Sequence, residues 1–134
     1  MGDTASNEGP RTEIVWAAVM NLLSGAWLVG APHALGYSDV ADALWNDMTI
    51  GLVVIAVAVI RLITPARSRW LSLVNLLLAL WLLAAPTVFE HEAGSPELWN
   101  DIVLGLIILT ESSISLVYGR RAAAASPSER AAKR

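Results

Sequence analysis

Four stretches of this chain carry no charged residue: Ile14–Ala31, Met48–Ile60, Leu71–Ala85 and Ile102–Leu109. With the tryptophans and mild polar residues that flank them they extend to about 17–21 residues each. At 1.5 Å of rise per helical residue, that length crosses a hydrocarbon core of about 30 Å. The chain of 134 residues is 55% hydrophobic and 16% charged, and its mean hydropathy is +0.55. A water-soluble domain of this size has no interior large enough for that much apolar surface. The expected fold is an all-α membrane protein of four transmembrane helices, with the lipid bilayer as its solvent.

Several function classes fall away at once. There is no cysteine, which removes disulfides, thiolate metal sites and membrane thiol redox chemistry. No basic cluster with interleaved aromatics offers a surface to a nucleic acid. No hydrolase, kinase, dinucleotide or P-loop pattern occurs. The first apolar block is expected to be retained, not cleaved as a signal peptide. Its flank mixes Asp3, Glu8 and Glu13 with Arg11, and no A-x-A site closes it. Met1-Gly2 followed by Ser6 matches a short myristoylation pattern that a polytopic chain meets by coincidence.

The sequence is duplicated. One offset of 54 residues carries Trp16 to Trp70, Asn21 to Asn75, Trp27 to Trp81 and Ala31-Pro32 to Ala85-Pro86. The same offset carries Trp45-Asn46-Asp47 to Trp99-Asn100-Asp101 and Gly51 to Gly105, with no gap. The unit is helix–loop–helix. Each unit crosses the membrane an even number of times, so the copies share one orientation and form two tandem hairpins, a parallel internal repeat.

Charge sets the expected topology. Arg61, Arg67 and Arg69 are assigned to the link between copies; Arg120, Arg121, Arg130, Lys133 and Arg134 follow the last block, and Arg11 precedes the first. The loops inside the copies hold only His33, Asp39, Asp42 and Asp47, then Glu90, His91, Glu92, Glu97 and Asp101. The positive-inside rule puts both termini and the link in the cytoplasm, in a multi-pass protein of the inner or plasma membrane. The expected division is a disordered tail over 1–13, a first repeat over 14–63, a link over 64–69, a second repeat over 70–118 and a basic disordered tail over 119–134.

The repeated Trp-Asn-Asp starts the second helix of each copy. Trp45 and Trp99 suit the headgroup zone. Asn46 and Asn100 are expected as N-caps, and Asp47 and Asp101 in the first turn, where the helix dipole favours negative charge. Gly51 and Gly105, four residues on, lie on the same face and admit a neighbouring helix closely. Pro32 and Pro86 are expected to stop or bend the first helix of each copy. Trp27 and Trp81, five residues earlier, would then pack with those prolines on the Asp/Gly face of their own hairpin. In that arrangement the aspartate accepts from an indole N–H or a freed backbone donor.

Three further polar residues fall inside the membrane. Asn21 and Asn75 are repeat equivalents expected to bond across helices, with lining of a substrate path as the alternative. Glu111, nine residues before Arg120, lies about 13 Å from that end; an ionisable residue at this depth is a functional candidate. Its repeat equivalent is Val57. Ser112, Ser113 and Ser115 either line a wet interior or bond back to their own helix. The run Glu90-His91-Glu92 has ligand-type side chains, but no ligand spacing repeats, since His33 aligns with Thr87 and His91 with Tyr37. Neither a metal nor a cofactor is expected.

The repeated W…AP…LWND…GL hairpin resembles the SPW-repeat integral membrane proteins, small bacterial proteins with a Ser-Pro-Trp signature in the first of two membrane helices per repeat. The resemblance covers Trp16–Leu62 and Trp70–Leu116. The signature triplet here reads Ala31-Pro32-His33 and Ala85-Pro86-Thr87, keeping only the proline. The resemblance implies a four-helix membrane protein and transfers no catalytic residue. The expected function is a non-enzymatic structural or partner-binding role, with a second copy or another membrane protein as partner. The alternative is a small proton- or ion-coupled permease acting as an oligomer, in which Glu111 titrates.

Overall fold

The computed structural model describes residues 9–64 and 68–124, which form four helices: α1 (Gly9–Ala34), α2 (Ala41–Ile63), α3 (Ser68–Val88) and α4 (Pro96–Ala124). All four contain stretches long and apolar enough to cross a bilayer: Val15–Ala34, Ala41–Ile63, Arg69–Val88 and Pro96–Tyr118. Helix also claims residues expected to lie in tails. Residues 9–13 belong to α1, since Pro10 stands in the first turn, where its missing N–H costs nothing. Residues 119–124 belong to α4, where the alanines favour helix. Ser68 and Arg69, expected in the link, open α3. The rest of both tails and the middle of the link lie outside the described residues.

Helix ends differ from the expected ones for local reasons. α2 begins five residues before Asn46, after Val40, and α4 begins four before Asn100, so neither asparagine is an N-cap and both Trp-Asn-Asp triplets sit past the first turn. At α4 the cap is Ser95, whose Oγ accepts from the Leu98 N–H at 3.4 Å, with Pro96 at the first helical position. Pro32 and Pro86 do not stop their helices, which continue for two more residues. A proline so close to the C-terminus removes one N–H while its own carbonyl remains usable. The Tyr37 N–H donates to the Pro32 carbonyl and the His91 N–H to the Pro86 carbonyl, both at 2.9 Å. These bonds close a Schellman motif on each helix. The left-handed residue the motif needs is Gly36 (φ +79°) in the first copy and Glu90 (φ +52°) in the second.

α1 packs on α2 and α3 on α4 as two antiparallel hairpins, and the hairpins meet along α1–α4 and α2–α3. Small residues set the closeness. A Cβ on Gly51 would stand 2.7 Å from the Gly25 carbonyl oxygen, so α1 and α2 nearly touch backbone to backbone. The equivalent crossing in the second copy pairs Gly105 with Ala79, where a Cβ on Gly105 would meet that carbonyl at 3.2 Å. The shared core is Leu28, Ile50 and Val54 from the first copy with Ala79, Leu82, Leu104 and Ile108 from the second. Outward faces are apolar as well: Leu23, Leu52, Leu77 and Leu106 are all exposed. Trp16 and Trp70 near one end, and Trp45 and Trp99 near the other, are exposed too, as the two interfacial belts of a spanning bundle require.

Candidate functional site

Polar side chains gather inside the bundle at two levels, separated by that apolar core. One level lies at the end holding the loops within the copies (the loop end). The other lies toward the link between them (the link end).

At the loop end the repeated motifs interlock. The Trp27 indole N–H donates to Asn100 Oδ1 at 2.9 Å, and the Trp81 indole N–H donates to Asn46 Oδ1 at 2.8 Å. Each tryptophan reaches the asparagine of the other copy, not the aspartate of its own hairpin, which corrects the indole bond expected from sequence, while the glycine face of each second helix does pack on the first helix of its own hairpin. The swap follows from helix order, because α1 faces α4 and α3 faces α2 across the interface. An indole only donates, so it fixes each amide with oxygen toward the tryptophan and nitrogen turned inward. Both nitrogens then reach one carboxylate: Asn100 Nδ2 donates to Asp47 Oδ2 at 3.0 Å, and Asn46 Nδ2 to Asp47 Oδ1 at 3.2 Å. The Tyr37 hydroxyl completes the set, donating to Asp47 Oδ2 at 2.5 Å. Burial first, and the bond to Asp47 second, push the Tyr37 hydroxyl above its ordinary pKa, so it stays a donor.

The second copy does not mirror this arrangement. Asp101 is 1% exposed, and neither of its oxygens receives a donor. The repeat position of Tyr37 is His91, which stacks on Phe89 at 5.9 Å between ring centroids; Phe89 in turn meets Trp81 edge-on at 6.4 Å. Both His91 ring nitrogens are buried without a partner. Beside the clasp, an apolar groove of about 550 Å³ opens between α1 and α4, with Leu23, Trp27, Asn100 and Val103 in its walls.

At the link end, Arg61 is 1% exposed. It is not a link residue, as its place beside the span's end implied; α2 continues past it and the guanidinium turns inward. Arg61 Nη2 donates to Ser72 Oγ at 3.0 Å, and the Ser72 hydroxyl donates to Ser115 Oγ at 2.9 Å, joining α2, α3 and α4. Arg61 Nε and Nη1 have no partner, and neither does either carboxyl oxygen of Glu111. The two charges are within Coulomb reach of each other, without a direct bond. Asn21 and Asn75 are fully buried, and all four of their amide atoms are unpaired, so the expected bonds across helices are not made. Ser112 and Ser113 bond back to the Ile108 and Leu109 carbonyls, while Ser115 points into the bundle.

The residues that carry these contacts coincide with the repeated ones, and the repeat has a family. A family model described as the SPW repeat domain matches residues 15–115, spanning both hairpins. The chain belongs to the SPW repeat family. Comparison with curated proteins and with solved structures gives no match. Within this SPW repeat protein, the signature position before each proline is a fully buried alanine, Ala31 or Ala85, whereas His33 and Thr87 after it are exposed. Among the residues of the two polar levels, sequence reasoning missed the roles of Tyr37, Arg61 and Ser72. Tyr37 breaks the repeat, which was its one available signal. Arg61 is indistinguishable by position from an interfacial cation.

Proposed function

We propose that this SPW repeat protein is a non-enzymatic membrane protein with a structural or partner-binding role. The observation that carries the reading is the reciprocal Trp–Asn clasp. The motif that recurs in both copies is occupied in tying one copy to the other, and the apolar core behind it divides the interior. Such a bundle holds its lipid-facing surface in fixed shape for a neighbouring helix, from a second copy or another membrane protein. In this reading the link end faces the cytoplasm, following the positive-inside distribution of Arg11, Arg67, Arg69, Arg120 and Arg121.

A second reading, a proton- or ion-coupled permease acting as an oligomer, is favoured by Glu111 and Arg61, whose unpaired groups are buried at one level. Intramembrane ionisable groups of this kind mark ion paths. Reconstitution into vesicles separates the two. The structural reading expects no pH-driven flux above empty vesicles and cross-linking to a defined partner in native membranes. Flux in the wild type that Glu111→Gln abolishes establishes the permease.

A further inference from the structure

The loop-end clasp contains a second carboxyl that the hydrogen-bond pattern leaves unexplained. Asp47 and Asp101 are repeat equivalents, both essentially inaccessible. Three side-chain donors at this level converge on Asp47: Tyr37, Asn46 and Asn100. The two asparagines cannot turn to serve Asp101, because the donor-only indoles of Trp27 and Trp81 hold their amides. His91, where the repeat would put a second tyrosine, is engaged with Phe89. Yet Asn100, the residue just before Asp101, bonds the Asp47 carboxyl at 3.0 Å, so the two buried carboxyls stand at one level of the bundle and the charge of Asp47 reaches Asp101. Two carboxylate oxygens face each other favourably only when a proton lies between them, and a buried pair of carboxyls this close cannot both be charged.

We propose that Asp47 and Asp101 form a proton-binding site at the heart of the clasp, in which a protonated Asp101 donates to the Asp47 carboxylate. The ligand is one proton, shared by a pair that acts as a unit. The groups facing it are few. α2 supplies Asp47 itself, the loop after α1 supplies Tyr37, and α4 supplies Glu97, the other acidic group whose charge reaches Asp101. α1 and α3 present the uncharged indoles of Trp27 and Trp81. Loss of the proton leaves two adjacent negative charges and no hydrogen bond between them, so the clasp is weakened when the site is empty. The assignment is independent of whether the protein is a scaffold or a permease.

Infrared spectroscopy of the detergent-solubilised full chain tests it, because a protonated carboxyl has a carbonyl band distinct from a carboxylate. The background is Glu97→Gln with Glu111→Gln, which leaves Asp47 and Asp101 as the only buried carboxyls among the described residues. The expected result is a protonated-carboxyl band at neutral pH that disappears when Asp101→Asn is added. Absence of the band in that background overturns the proposal, and this arm holds even if the Asp101 variant fails to fold. A band that survives Asp101→Asn overturns it as well. A band that vanishes when sodium is raised at constant pH identifies a cation site and equally overturns the proton assignment.

Discussion

Tyr37 lies one residue past a left-handed glycine and reaches across ten positions to Asp47. A neutral donor bonded to a carboxylate contributes about 1.5–3 kcal/mol, so Tyr37→Phe should lower stability in detergent by that order at neutral pH. The pH dependence follows from the direction of the shift. The hydroxyl is held above its unfolded value of about 10, so its contribution is complete below that pH and is lost as pH rises beyond it. Thermal unfolding of both proteins across that range should show wild type falling toward the variant only above about pH 10. A gap that closes below that pH would deny the bond. Asn21 and Asn75 make the opposite point at the same scale: full burial of a polar side chain does not guarantee a partner.

The helices are related in pairs by the repeat, but the two crossings are not equally tight. Gly51 meets the Gly25 backbone and Leu28, whereas Gly105 meets mainly the side-chain end of Leu83. A backbone oxygen cannot move aside as a leucine can, and overpacking costs about 1–3 kcal/mol where nothing yields. Gly51→Ala should therefore destabilise by about 2–3 kcal/mol and Gly105→Ala by less than about 1 kcal/mol, as read from unfolding in detergent. Equal costs would mean that both hairpins relax alike. This asymmetry was not legible in the duplicated Trp-Asn-Asp-x-x-x-Gly itself. It depends on what the partner helix presents, and the offset that pairs the glycines pairs Gly25 with Ala79. Helix type and approximate span were readable from hydropathy alone. The cap positions were not, because Val40 and Ser95 start their helices earlier than the polar triplet that resembles a cap.

Across the whole molecule the clasp, the shared core and the Arg61–Ser72 bond together join the two hairpins. Trp27 and Trp81 each donate to the opposite copy, and losing either leaves an asparagine oxygen unpaired. Trp27→Phe and Trp81→Phe should each cost about 1 kcal/mol, since the rings are only part-buried. The double variant should depart from additivity by at least about 0.5 kcal/mol, because both bonds converge on Asp47 through the amides they orient. Strict additivity in a double-mutant cycle would show two independent contacts in place of an interlock.

From the order of amino acids alone came the membrane, the four spans, the duplication and the family resemblance, because these depend on apolar length and on a repeat of fixed offset. Which copy each tryptophan serves, which aspartate collects the donors, and that Arg61 turns inward were decided only by packing. Pairwise hydrogen bonds depend on distances between helices, and two identical motifs carry no mark of the partner that each will meet. Once α1 lies against α4, geometry lets one carboxyl take the tyrosine and both asparagine amides and leaves its twin without a donor.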